Sequence, residues 1–133
     1  MTNKRVVVIG GGPAGHDAAT YAARFGADVT LIERDIIGGS AHLLDCVPSK
    51  SMIATGGALS FARRLDGMGL ANVETGVNAD HLRARIQGIE KRLEQAVTQL
   101  LTSQGVTIYK GTGRLLSNHE VCADTADGPI ELT

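Results

Sequence analysis

Two short stretches of the sequence carry residue types that do chemistry: Cys46-Val47-Pro48-Ser49-Lys50 and Gly10-Gly11-Gly12-Pro13-Ala14-Gly15. In the first, Pro48 has a backbone angle suited to the first turn of a helix, which puts Cys46 at or just before a helix N-terminus. The helix dipole favours a thiolate there, and Lys50, one turn further on the same face, adds a positive charge. Such a thiol is a nucleophile or an electron relay. The plainer reading is a buried structural cysteine beside a solvated lysine. His42 stands four residues before Cys46, but a metal needs more ligands. His16, His81 and His119 belong to unrelated elements, so no metal site is expected.

The second stretch is G-x-G-x-x-G, with Gly10 permitting a tight turn and Gly12 letting a pyrophosphate approach the backbone. Gly15 allows a helix to pack closely on the preceding strand. The helix that opens at Pro13 and Ala14 then turns unpaired N–H groups and its positive end toward phosphates. Glu33 ends the next strand, where a carboxylate accepts bonds from adenosine ribose hydroxyls and repels a 2′-phosphate. This combination indicates a dinucleotide but does not separate FAD from NAD.

The elements that must position these groups are legible around them. Arg5 to Gly10 is a β-branched run expected to be a strand buried on both faces. An alanine-rich helix closed by Gly26 and a second buried strand, Asp28 to Glu33, complete a βαβ unit. Helical spacing at Met52, Ile53, Leu59 and Leu65 follows the Cys46 stretch, and residues 66–80 are expected to form a loop. Leu82, Ile86, Ile89, Leu93, either Ala96 or Val97, and Leu100 mark one apolar stripe on a long helix over 80–104, which Gly105 stops. Residues 106–116 predict a third buried strand ending near Gly111 and Gly113, and 120–132 a hairpin around Asp127-Gly128. The fold class is therefore α/β, a Rossmann-like parallel sheet with helices and a β-hairpin. A sheet of three parallel strands with an open edge at Thr133 suggests the N-terminal part of a longer protein.

Composition narrows the function. With 133 residues, 43% of them apolar and 20% charged, the chain can build one core. A formal charge of −1, no basic patch and four Phe and Tyr side chains argue against a nucleic-acid partner. Cys46 and Cys122 lie far apart, which fits a reducing compartment, and no apolar run is long enough for a signal peptide or a membrane span. A cytoplasmic protein is expected.

"VVVIGGGPAG", "LIERDIIGGS" and "CVPSK", in this order and spacing, resemble the FAD domain of the pyridine nucleotide–disulfide oxidoreductases. The family includes lipoamide dehydrogenase, glutathione reductase and mycothione reductase, and the resemblance covers nearly the whole chain. It implies FAD, with pyrophosphate over Gly10, Gly12, Pro13, Ala14 and Gly15, and ribose at Glu33 beside Arg34. More of the cofactor would run along Gly38, Gly39, Ser40 and Ala41, with Lys50 near the flavin ring and Gly113 near the adenine end. It also implies an NAD(P)H domain and a dimerisation domain beyond residue 133, a homodimer when full length, and no turnover by these 133 residues alone.

The departures are informative. Disulfide-reducing members carry two cysteines five positions apart, and here the first of those positions is Ala41, so the dithiol relay has no first member. Cys46 keeps the flavin-facing position, where it would tune the flavin rather than carry electrons. Cys122, in the hairpin, has no evident reason to approach it. His42 is more simply a polar residue beside the flavin, and His16 replaces a frequent tyrosine. This pattern is similar to an actinobacterial subgroup that behaves as NAD(P)H:quinone reductases, which implies direct transfer from FAD to a small quinone-like acceptor. The alternatives are a dihydrolipoamide dehydrogenase-like disulfide reductase, a flavin-free NAD-dependent dehydrogenase and a non-catalytic dinucleotide-binding domain.

Overall fold

The computed structural model describes residues 4–70 and 74–133. The strands are β1 (Arg5–Ile9), β2 (Asp28–Glu33), β3 (Thr107–Leu115), β4 (Val121–Thr125) and β5 (Gly128–Leu132). The helices are α1 (Pro13–Arg24), α2 (Val47–Ala62), preceded by a π-helical turn Ala41–Cys46, and α3 (Ala79–Ser103). The strands lie in the order β1-β2-β3-β4-β5, the first three parallel and the last three antiparallel.

One face of the parallel strands makes the core. Val6 and Val8 of β1, Val29 and Leu31 of β2 and Ile108 of β3 pack against Ala19, Ala22 and Ala23 of α1 and Val97 and Leu101 of α3. Small alanines on α1 allow the helix to sit close on β-branched strands, and Leu31 and Leu101 are fully shielded from solvent. Alternation along each strand sends Ile9 and Ile32 to the opposite face. There Ile9 touches Gly113, so β3, having left the parallel sheet, crosses back over β1.

Several expectations need correction. β3 does not end at its glycines: it runs through Gly111 and Gly113 and changes partner, from β2 on one side to β4 on the other. Nor is it a buried strand, because much of its length is exposed. β1 is half-buried rather than buried on both faces, since it stands at the end of the strand order with one edge unpaired among the described residues. On α3 the stripe drifts at its end, where Leu101 is buried and Leu100 is 43% exposed. The 3.6-residue period moves the core-facing position from Val97 to Leu101. The apolar residues of α2 do not face a core: Met52 and Ile53 are exposed and the helix buries none of its residues.

Other readings agree with the structure. Gly26 and Gly105 follow α1 and α3 in the left-handed conformation. The β4–β5 hairpin turns before Gly128. The loop expected over 66–80 contains a short 3-10 turn, Asp66–Met68, and residues 74–78 without regular structure, while residues 71–73 of it lie outside the described residues. Among the described residues no helix is long and apolar enough to cross a membrane.

Candidate functional site

The glycine turn connects the end of β1 to α1, and its spacing is enforced by contact. A methyl group at Gly15 would overlap the Gly10 carbonyl oxygen, so α1 approaches the turn only because residue 15 has no side chain. The α1 head has no side-chain cap and no acidic residue in its first turn. His16 N–H donates to the Gly12 carbonyl at 2.8 Å, Pro13 has no N–H, and the amides of Ala14 and Gly15 therefore have no partner within the helix.

A second helix head meets the first. Gly39, at φ +85°, lies so close to Gly12 that a Cβ on it would come within 2.7 Å of the Gly12 Cα. Beyond it Ser40 already has helical backbone angles, and the π turn Ala41–Cys46 follows, again with no side-chain cap and no acid in its first turn. By contrast α3 is capped by Asn78, whose Oδ1 accepts from the His81 N–H at 2.9 Å. Two uncapped heads converging on glycines form a concentrated array of backbone donors for an anion.

The π turn explains how Cys46 is held. Pro48 has no N–H for the Leu44 carbonyl and its ring would press on it, and a wider turn just ahead of the proline relieves both. The Val47 N–H accordingly donates to the His42 carbonyl, five residues back. Cys46 directly precedes α2, as Pro48 predicts, but the helical backbone starts earlier, at Ser40. The free amides and the positive end of the dipole thus belong to residues near Gly39 and not to Cys46. The Cys46 residue is exposed and Ser49 Oγ donates to its carbonyl at 3.2 Å. Lys50 and His42 are exposed on the same helical run.

A cleft of about 340 Å³ opens at the carboxyl ends of the parallel strands. Gly10, Glu33, Arg34, Ser40 and Gly113 line it, five of the residues expected from sequence. Gly113 is there for want of a Cβ, which would lie 2.9 Å from Ile9 Cγ2. Gly38 donates to the Gly11 carbonyl at 2.8 Å and so ties the loop to the turn. The structure does not bring Cys46 or Lys50 into this cleft. Sequence reasoning missed Asp35, Gly111 and Thr112 of the lining and Lys110, whose ammonium donates to the Asp35 carbonyl. For Lys110 a signal existed only in the pairing of β3, where it stands opposite Glu33.

Both cysteines are free. Cys122 is buried in β4, with Arg114 Nη2 at 3.5 Å and Asp124 Oδ1 at 3.4 Å from its sulfur. Burial first, and then the bond to Asp124, push its thiol above the ordinary range. Arg114 Nε bonds Asp124 Oδ2 at 2.9 Å and holds that carboxyl below its usual range. Among the described residues no three His, Cys, Asp or Glu side chains converge as metal ligands.

Strand, glycine turn, helix and strand, with uncapped helix heads over a cleft at the strand ends, define an α/β unit of the dinucleotide-binding class. The family model described as pyridine nucleotide-disulphide oxidoreductase matches residues 4–129, and the chain belongs to that family. It is 36% identical over 135 residues to an NAD(P)H dehydrogenase (quinone) of Mycobacterium tuberculosis, covering 93% of this chain and 27% of that one. It is 32% identical over 117 residues to a dihydrolipoyl dehydrogenase of Acholeplasma laidlawii, covering 87% and 35%. Among solved structures, LpdA from Mycobacterium tuberculosis superimposes with a TM-score of 0.84 at 34% identity, over 97% of this chain and 29% of that one. The flavoprotein disulfide reductase RclA from Escherichia coli, at 20% identity and a TM-score of 0.73, shares the fold. The chain thus spans about a third or less of these relatives' length.

Proposed function

We propose that the chain is the FAD-binding part of a flavoprotein oxidoreductase that carries electrons from NAD(P)H through FAD directly to a quinone-like acceptor. The residues fit the cofactor. The uncapped heads at Gly12–Gly15 and Ser40–Ala41 offer amide donors to a pyrophosphate. The cleft beside Glu33, Arg34 and Gly113, about 340 Å³, would take the adenosine. When bound, FAD would accept a hydride from the nicotinamide and release two electrons to the acceptor.

This chain's own residues bind, orient and exclude. Glu33 puts a carboxylate at the strand end, where it bonds ribose hydroxyls and disfavours a phosphate ester. Gly39 and Gly12 keep side chains away from the diphosphate. Lys50 presents a cation and Cys46 a thiol on the exposed helical run that leads away from the cleft.

The observation that carries the choice of acceptor is the cysteine inventory. The π turn has Ala41 at its first position and Cys46 at its last, and the other thiol is buried in β4 beside Arg114 and Asp124. An intramolecular relay through two thiols therefore has only one member at the helix. NAD(P)H binding and a homodimer belong to the proposal for the full-length protein, as does a cytoplasmic location.

Anaerobic titration of the full-length holoprotein with reduced nicotinamide tests the reading. Uptake of two electrons per flavin, with immediate bleaching, is expected. Uptake of four would return the dihydrolipoamide dehydrogenase-like alternative, and a colourless pure protein would favour the flavin-free dehydrogenase. In the same enzyme Cys46→Ser should keep much of the quinone turnover, and a dead variant would make the thiol an electron carrier after all.

A further inference from the structure

Both carboxylate oxygens of Glu33 bond backbone before any ligand is considered. Oε2 accepts from the Gly11 N–H at 2.6 Å, and Oε1 accepts from the Asp35 N–H at 2.6 Å. The carbonyl of the same buried Gly11 accepts from the Gly38 N–H at 2.8 Å. One side chain and the backbone of one residue thus join three segments: the glycine turn after β1, the end of β2, and the loop that leads to the π turn. Bonds to an ionised carboxylate are stronger than neutral ones, and these two are short.

The dinucleotide motif leaves position 11 unspecified, yet the geometry constrains it. A Cβ on Gly11 would lie 3.2 Å from Glu33 Cβ and 3.3 Å from Glu33 Oε2, tighter than ordinary contact. The middle glycine of the run, Gly11, is what lets the carboxylate close on the turn. Its N–H, being committed to Glu33, is also withdrawn from the donors that face a phosphate.

We infer that Glu33 is a positioning residue for the whole dinucleotide site, clasping the phosphate-facing turn to the adenosine-side loop through Gly11 and Asp35. Its ligand rests on the dinucleotide reading proposed above, but its geometry does not. Each carboxylate oxygen keeps a further lone pair, so a ribose hydroxyl can still bond it. The distinguishing consequence is that loss of the carboxylate weakens ligands that have no ribose hydroxyls at all. Glutamine at position 33 would turn an amide nitrogen toward one of the two N–H donors. Aspartate would keep the charge but fall one methylene short of reaching both.

The experiment uses the intact protein freed of bound nucleotide, with Glu33→Gln and Glu33→Asp, and reads backbone hydrogen exchange together with affinity for ADP and 2′,3′-dideoxy-ADP. Exchange should speed up about tenfold at one or both of the Gly11 and Asp35 amides in each variant while Ala123 in β4 is unchanged. 2′,3′-Dideoxy-ADP should lose about tenfold in affinity, and ADP at least as much, since it also loses its ribose bond. Unchanged exchange at the two amides overturns the clasp, as does a loss confined to ADP, which would leave Glu33 a ribose acceptor alone. If the unmodified protein binds neither nucleotide, the dinucleotide reading fails and exchange alone decides the clasp. If circular dichroism shows that the Gln variant does not fold, the Asp variant carries the test.

Discussion

The cleft at the strand ends and the helical run from Ala41 to Ala62 are adjacent in sequence and opposite in construction. The cleft is held by backbone: Gly10 N–H to Ile32, Gly38 N–H to Gly11, and glycines touching at 12 and 39. The run carrying Cys46 and Lys50 buries only Leu43 and otherwise presents exposed residues, among them Ile53 at 73%. A part that holds a cofactor can be completed by close approach of main chain. The helical run leaves its side chains unengaged, as the proposed function would need of a part that meets a reaction partner.

This contrast can be broken most severely at Gly15. Gly15→Ala forces a methyl group into the Gly10 carbonyl and should abolish retention of flavin by the purified full-length protein, with stability down by at least about 1–3 kcal/mol. Yellow, stable Ala variant protein would contradict the geometry. Next, the two regions should respond differently to truncation. Leu31→Ala, in the core under the cleft, should cost about 2–5 kcal/mol in urea unfolding. Ile53→Ala on α2 should stay within about 0.5 kcal/mol in this chain.

A subtler change sharpens the comparison at the π turn. Residues 41 and 46 bracket a turn in which the amide of 47 reaches the carbonyl of 42, so positions five apart share a face. Ala41→Cys should let an intrahelical disulfide form with Cys46, detected as two thiols fewer on oxidation and as uptake of two further electrons per flavin in the holoprotein. Failure to pair under oxidant would mean that the turn does not bring these positions together.

The smallest effect is expected in the antiparallel strands. Asp124, held low first by its bond to Arg114, adds stability that is complete above the ordinary carboxylate range and is lost as pH falls through its depressed value. Cys122, held high first by burial, adds stability that is complete below the ordinary thiol range and is lost as pH rises beyond it. The Arg114–Asp124 pair is about half exposed, so the acid slope should be slight and vanish in Asp124→Asn, measured by melting temperature against pH.

What could be read from the sequence was local. The β-branched run at Arg5, the glycine spacing and the span of β2 each follow from neighbouring residues, and the structure places them as expected. So does the β4–β5 hairpin, marked by Asp127-Gly128. The misreadings came from contacts between distant segments. Gly111 suggests a stop until its opposite number is known: it pairs with Thr125, and a Cβ there would strike the Asp124 carbonyl. Gly11 received no role from the motif, because its partner Glu33 lies 22 positions away. The π turn depends jointly on Pro48 and on a helical start at Ser40, and neither residue alone announces it. The exposed face of α2 has the spacing of a core helix, and spacing cannot say what a face is packed against.

The double membership of β3 has a kinetic side. Its second half pairs with β4, a neighbour along the chain, and its first half with β2; the Lys110–Asp35 contact closes 75 residues. Loop closure is paid for before a distant pairing is rewarded, so the antiparallel half should form first and present the parallel half as a strand already straightened. Pulse-labelled exchange during refolding should then protect β4 amides before those of β1. The strand that finishes the cleft would be templated from the far end of the chain.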